Sequence, residues 1–195
     1  KNDLLLVDSG GQYKWGTTDV TRTISFIKQN KKIKENFTRV LKGHINMALA
    51  DINRLKNGHN IDKIARKSLR SVGLDYRHGT GHGVGFFLNV HEGPQSISKN
   101  NMVNLQEGMI VSNEPGYYLK NKYGIRIENL VYIKKIGNKL KFQNWTLAPI
   151  DKDLINFKML NSNEKKYLHN YHLDVYSKIS KYLNRGEKKW LSDLI

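Results

Sequence analysis

The sequence has no cysteine, which excludes disulfides and thiolate zinc sites and is compatible with a reducing cytoplasm, the expected location. Only 3 prolines occur, beside 16 glycines, in a chain that is 38% hydrophobic and 26% charged; this profile belongs to a soluble globular protein. No apolar run approaches the roughly 18 residues that a membrane helix requires, so no membrane partner is expected. Acidic residues are scarce: 17 Asp and Glu stand against 33 Lys and Arg, a formal charge of +16. Such an excess raises the question of nucleic acid. The lysines, however, are scattered, as at Lys28, Lys31, Lys32, Lys34, Lys134, Lys135, Lys165 and Lys166, and interleave with asparagine. A solvated basic surface explains them better than a footprint, and no specific nucleic-acid partner is expected. At 195 residues the chain fits one domain with a sizeable core. It begins KNDLLLV, without an initiator methionine, and reads as the interior of a longer protein.

Leu4 to Val7 is a short apolar run ending at Asp8, Gly10-Gly11 marks a turn, and a β-rich stretch from Thr17 to Phe26 carries Asp19. Together they read as a hairpin. Residues 32 to 56 place Phe37, Val40, Leu41, Ile45, Ala48, Leu49 and Ile52 on one face of a helix of about six turns, with Gly58 as its stop. A shorter helix follows from about Ile61, with Ile64, Ala65 and Leu69 inward and Gly73 at its end. The glycine-rich stretch His78 to Gly85 runs into Phe86 to Val90 and His91. Met109 to Asn113 reads as a strand, Pro115-Gly116 as a turn, and Gly124 to Ile133 as the returning strand that carries Glu128. The two acid-bearing hairpins share a plan and suggest related halves facing one site. Beyond Pro149, residues 151 to 160 are mixed. From Ser162 to Leu183 a helical stripe of Leu168, Tyr171, Val175, Ile179 and Tyr182 appears, and Trp190, Leu191 and Leu194 form a last amphipathic segment. This tail has no ligand constellation and is expected to pack onto the core or a second subunit.

Four carboxylates and one histidine stand in distinctive surroundings: Asp8 in DSGGQY, Asp19 in GTTDVTRT, His82 in HGTGHGVG, Glu114 in SNEPGYY and Glu128 in GIRIEN. Taken singly, each acid has a plain reading, as a turn former or a solvated strand residue. Brought together they would repel and raise each other's pKa unless cations neutralised them. Two divalent ions would do so, and a dinuclear site can deprotonate a bound water near neutral pH and use it as a nucleophile. The set therefore points to a two-metal hydrolase. His78 and His82 have the i, i+4 spacing of a zinc helix, but the glycines between and beyond them cost roughly 1 kcal/mol each in a helix. An extended segment with one of the two histidines on the metals is the better reading. Oxygen ligands with a single imidazole favour a hard ion such as manganese over zinc.

The stretches DSGGQYKWGTTDVTRT, VLKGH, GLDYRHGTGHGVGFFLNVHEGP, EGMIVSNEPGYY and YGIRIENLV, continuing through LAPID and YLHNYH, resemble the catalytic domain of the M24 metallopeptidases. They resemble most closely the cytosolic type of Xaa-Pro aminopeptidase. The resemblance implies an α+β, pita-bread fold, N-terminally incomplete here. It implies a catalytic domain over residues 1–150 and a helical C-terminal extension over residues 151–195. Asp8, Asp19, His82, Glu114 and Glu128 match the family's ligands for two metal ions, Asp19 and Glu128 as the bridging pair. Glu114 also matches the proposed general acid/base, and His78 and His91 match histidines that contact the peptide. Arg126 is expected to hold a ligand carboxylate in place. The implied reaction is hydrolysis of the bond before a second-position proline by a hydroxide held between two ions, expected to be Mn2+. The full-length protein is expected to be a homodimer. A prolidase-like dipeptidase, or an inactive remnant that retains the ligands, are the alternatives.

Overall fold

The computed structural model describes residues 4–85 and 89–194; the expected run from Phe86 to Val90 thus falls mainly outside the described residues. Two long strands, β1 (Leu4–Tyr13) and β2 (Gly16–Ser25), form an antiparallel ribbon. The hairpin is as expected, but its turn is not at Gly10-Gly11. The chain reverses at Lys14 and Trp15, and both glycines lie inside β1. A Cβ on Gly10 would stand 3.1 Å from the Thr18 carbonyl oxygen, and one on Gly11 would stand 2.8 Å from the Tyr13 ring. The register pairs Asp8 with Thr21 and Gly10 with Asp19. Asp8 and Asp19 are therefore diagonal neighbours on one face of the ribbon.

The expected helix over residues 32–56 is two helices. α1 (Lys31–Ala48) starts where the Asn30 side chain accepts from the Ile33 amide, and buries Ile33, Phe37, Val40, Leu41 and Ile45. It stops before Asp51, whose side chain accepts from the Arg54 amide and starts a separate turn, α2 (Ile52–Leu55). Leu49, expected on the inner stripe, is consequently 53% exposed. Gly58 does not stop a helix but opens α3 (Gly58–Arg70), capped by Asn57. Its Cβ would lie 1.7 Å from the Ser96 carbonyl oxygen, so only glycine fits against that strand. Gly73 does follow the end of α3, at φ +72°.

β3 (Gly81–His82) pairs with β4 (Ser96–Ile97). The second acid-bearing hairpin is longer and more broken than expected. β5 (Ile110–Asn113) pairs with β8 (Asn129–Ile136), and β6 (Gly116–Leu119) with β7 (Tyr123–Arg126). The turn lies at residues 120–122, where Asn121 takes φ 59°. Pro115 marks the join between the two ladders rather than a turn, and Glu128 lies on the matching join, outside any strand. β9 (Lys139–Asn144), not foreseen, adds to the far edge of β8. The two hairpins are stitched together: the Arg126 amide donates to Thr23 Oγ1 at 3.0 Å, and the Glu128 amide to the Thr21 carbonyl at 3.0 Å.

α1 and α3 cover one side of these sheets. Met47, Ile61 and Ala65 pack with Val111, Val131 and Ile133, while Ile33, Phe37 and Leu41 join Ile125 and Ile127. The tail completes the second cluster. After two short 3₁₀ turns, α4 (Ser162–Ile179) carries a capping box between Asn161 and Glu164 and buries Leu168, Tyr171 and Val175. Tyr182, placed on the same stripe by periodicity, is 76% exposed because the helix tightens into a 3₁₀ turn after Ile179 and loses phase. α5 (Arg185–Leu194) buries Leu191 and leaves Trp190 exposed, and its Asp193 carbonyl accepts from Lys152 Nζ.

Candidate metal centre

The ribbon face bearing Asp8 and Asp19 is closed by Glu128. Its Oε2 accepts from the Thr21 hydroxyl at 2.6 Å, and alternation puts Thr21 on the same face of β2 as Asp19. His82 comes from β3, which lies so close to β5 that a Cβ on Gly81 would be 1.9 Å from the Ser112 carbonyl oxygen. The His82 amide donates to Ser112 Oγ at 2.9 Å, and Ser112 Oγ donates to Glu114 Oε1 at 3.1 Å. One serine thus sets both side chains. His82 Nδ1 lies 3.0 Å from the Gly83 carbonyl. A carbonyl only accepts, so the neutral ring carries its proton on Nδ1 and leaves the Nε2 lone pair free. Nε2 stands 3.2 Å from Asp19 Oδ2 and 3.5 Å from Glu114 Oε1.

The potential ligand atoms fall into overlapping trios, each within 4.8 Å: Asp8, Asp19 and Glu128; His82, Glu114 and Glu128; and Asp19, His82 and His91. Glu128 belongs to the first two trios and Asp19 to the first and third, so the five expected ligands form one centre with two lobes. The third trio brings His91 into ligand range, its ring centroid 4.1 Å from that of His82.

Burial raises the Glu114 pKa. Burial, followed by the charges of Glu114, Asp19 and Asp8, pushes Glu128 up to about 7 despite the Thr21 hydroxyl. Burial works against the His82 imidazolium, but the hydrogen bond to Asp19 and the nearby carboxylates outweigh it and raise its pKa. Among the described residues, the one lysine or arginine recorded in an ion pair with a candidate ligand carboxylate is Arg126, which faces Asp8. The donor set and its uncompensated negative charge fit divalent cations: four carboxylates supply hard oxygen donors and one imidazole presents a free Nε2.

Arg126 touches three groups around the centre. Nη2 pairs with Asp8 Oδ2, Nε donates to Thr21 Oγ1 at 3.0 Å, and Nη1 donates to Tyr118 Oη at 3.1 Å. His78 lies beside this group, with Nε2 2.9 Å from Tyr118 Oη and Nδ1 3.9 Å from Glu114 Oε2. Burial, with Arg126 and Arg66 nearby, lowers its pKa.

Several supporting residues escaped the sequence reading. Thr21 and Tyr118 are two; Thr21 is signalled only by its two-residue step from Asp19. His44 of α1 is another: Nδ1 meets the Asn113 carbonyl at 3.1 Å while Asn113 Nδ2 donates to the His44 carbonyl at 2.9 Å, fixing the backbone beside Glu114. Burial, with Arg22 nearby, pushes the His44 imidazole down to about 3, so it stays neutral. The Glu114 amide also donates to the Thr80 carbonyl at 2.8 Å, and Thr80 Oγ1 donates to Asp62 of α3 at 2.6 Å.

A family model described as metallopeptidase family M24 matches residues 1–135, and one described as the C-terminal region of peptidase M24 matches residues 138–194. A probable Xaa-Pro aminopeptidase P of Laccaria bicolor is 47% identical over 204 residues, covering 98% of this chain and 32% of its own length. Xaa-Pro aminopeptidase 1 of Dictyostelium discoideum is 45% identical, covering 98% and 33%. Among solved structures, the X-prolyl aminopeptidase of Caenorhabditis elegans, described as a cytosolic enzyme with a di-nuclear active site, superposes with a TM-score of 0.90 at 39% identity, over 99% of this chain and 33% of that one. The prolidase of Pyrococcus furiosus gives a TM-score of 0.65 at 32% identity, over 74% of this chain and 41% of that one. The chain spans about a third of the length of the aminopeptidase relatives it matches.

Proposed function

This chain belongs to metallopeptidase family M24 and has its α+β pita-bread fold, and we propose that the protein carrying it is a metal-dependent aminopeptidase that hydrolyses the N-terminal Xaa-Pro bond of peptides. The observation that carries the reading is the meeting of Asp8, Asp19, His82, Glu114 and Glu128, from separate stretches of sequence, in overlapping trios of ligand atoms. Residues 1–150 would form the catalytic domain and residues 151–195 its helical extension. The match over residues 138–194 and the near-complete overlap with an X-prolyl aminopeptidase support this over a prolidase, which covers less of the chain. A cytoplasmic location is supported by the cytosolic description of that relative, and a homodimer rests on the resemblance alone.

Two divalent ions, proposed to be manganese, would be held by Asp8, Asp19, His82, Glu114 and Glu128, with Asp19 and Glu128 shared. When bound they supply a hydroxide nucleophile near neutral pH and a Lewis acid for the carbonyl. The remaining work falls to the chain's own groups. Glu114 Oε1 is engaged by Ser112, so Oε2 is the oxygen left to hold a proton and pass it to the departing proline nitrogen, which must be protonated to leave. His78 and His91 flank the centre and would contact the peptide backbone. Arg126 orients Asp8 and, through Thr21, Glu128. In the whole protein, a chelator should abolish cleavage of Xaa-Pro-Xaa tripeptides and Mn2+ should restore it best. Glu114→Gln should lower kcat by at least about a hundredfold with little change in Tm. Cleavage restricted to Xaa-Pro dipeptides would favour the prolidase reading, and undiminished activity without metal would overturn both.

A further inference from the structure

A cavity of about 430 Å³ opens between the tip of the β1–β2 ribbon and the β5–β8 sheet, with Trp15 and Trp145 among its lining residues. Its other lining residues include Thr17, Val84, Ile110 and Leu130. Two of these positions are related to the metal centre by strand geometry. Thr17 is two residues from Asp19 in β2, and Ile110 is two from Ser112 in β5, the serine that touches Glu114 and His82. A two-residue step along a strand keeps the same face and covers about 6.6 Å. Leu130 is also the register partner of Ser112. On β2 and β5 the cavity therefore lies one step along the faces that bear Asp19 and Ser112. Its volume falls within the roughly 300–1,000 Å³ range of small-molecule sites.

Both indoles stand out from the usual burial of large aromatics. Trp15 is 87% exposed at the ribbon turn, and Trp145 is 52% exposed with its ring 4.8 Å from that of Tyr132. Aromatic rings left open to solvent at the rim of a cleft are suited to cover an incoming apolar group.

We propose that this cavity is a specificity subsite that receives a large apolar side chain of the substrate peptide beyond the proline, at its third or fourth residue. The assignment rests on the aminopeptidase reading above. A step of about 6.6 Å corresponds to about two residues of extended peptide. Only one residue precedes the scissile bond of an aminopeptidase substrate, so a subsite two residues away faces the part that follows the cleavage point. Trp15 and Trp145 are positioning and specificity residues here, and the metal ligands remain as described.

The test uses the whole protein with matched peptides, Xaa-Pro-Phe against Xaa-Pro-Gly and Xaa-Pro-Gly-Phe against Xaa-Pro-Gly-Gly. The phenylalanine member of at least one pair should show the lower KM. Trp15→Ala should raise that KM roughly tenfold while leaving kcat and the glycine peptides unchanged. Trp145→Ala should act in the same direction. A second readout needs no turnover: the phenylalanine peptide should perturb indole fluorescence of metal-free protein, and Trp15→Ala should weaken its binding by a similar factor. Equal KM values within both pairs, or equal loss on both members of a pair in Trp15→Ala, would overturn the proposal. Failure of the unsubstituted protein to cleave any of these peptides would count against the aminopeptidase reading, and the fluorescence titration would still decide whether the cavity takes the apolar residue.

Discussion

Glu128 has an acidity set by its neighbours. It is 2% exposed, and burial together with Glu114, Asp19 and Asp8 moves its pKa from 4.5 to about 7. Glu114 is raised as well, first by burial. A carboxyl whose pKa is higher in the folded than in the unfolded chain stabilises the fold while protonated, and loses that contribution as pH rises. In metal-free protein, the contribution of Glu128 should be whole below about pH 4.5 and gone once the pH has passed about 7. His82, also raised, acts with the same sign. Divalent ions require these groups to be deprotonated and so compete with the protons. The rise in Tm on adding Mn2+ should accordingly grow between about pH 5 and about pH 8. Scanning calorimetry with and without the ion across that range measures it. A metal-induced shift that stays constant over the range would mean that these carboxylates and His82 are not the ligands.

At the scale of elements, glycine makes the clearest test because the same residue serves two opposite purposes. Gly58 begins α3 with the Ser96 carbonyl where its Cβ would be. Gly186 lies in α5 with its nearest would-be contact, Asn184 Oδ1, at an ordinary 3.4 Å. Gly58→Ala should destabilise by about 1–3 kcal/mol or more, since backbone must shift. Gly186→Ala should stabilise by about 0.5–1 kcal/mol, as alanine does in a helix. Urea midpoints moving in the same direction would contradict this account of both sites. The contrast also explains what could be read in advance. Glycine as a helix stop holds at Gly73, where φ is positive, and fails at Gly58, where it makes room for the Ser96 backbone that local sequence does not display; the turn expected at Gly10-Gly11 lies at Lys14 and Trp15 instead. The stripe of Phe37, Val40, Leu41 and Ile45 was legible because burial follows helical period; the break before Asp51 was not, because a cap competes with that period. The five candidate ligands were legible as a set from their distinctive settings, although their roles came from family resemblance. Glu128 was misplaced within a strand because Pro115-Gly116 imitates a turn, while the true reversal uses Asn121 in the left-handed region. The Thr21 bridge joins residues 107 positions apart, and no local signal announces it.

For the whole molecule, the question is whether the tail is an appendage or part of the site's support. Arg22, buried three residues beyond Asp19 in β2, answers for the second. Nη1 donates to the Glu128 carbonyl at 2.6 Å and the Thr21 carbonyl at 2.8 Å, and Nε to the Pro149 carbonyl at 2.9 Å. Nη2 donates to Ala148 O and Asn129 Oδ1, each at 2.7 Å, and to Tyr171 Oη of α4 at 2.9 Å. Burial lowers the Arg22 pKa, with Tyr171 opposing. One guanidinium therefore links the backbone of a candidate ligand to the first helix of the tail. Lysine would keep the charge but offers three donors without the planar fork, so several of these carbonyls would lose their partner. Arg22→Lys should cost about 3 kcal/mol or more, since several buried carbonyls each lose a partner at about 1–3 kcal/mol, and Tyr171→Phe about 1–3 kcal/mol. Tyr182→Phe, at an exposed ring, should be neutral within about 0.5 kcal/mol. If tail and site form one cooperative unit, loss of bound Mn2+ and unfolding of the tail should share one denaturant midpoint. That midpoint should shift equally for both readouts in Tyr171→Phe. The tail readout is the fluorescence of Trp190 on α5, isolated as the difference from a Trp190→Phe variant. Tail unfolding at lower denaturant, with metal retained, would separate residues 151–195 from the support of the site and refute the link through Arg22.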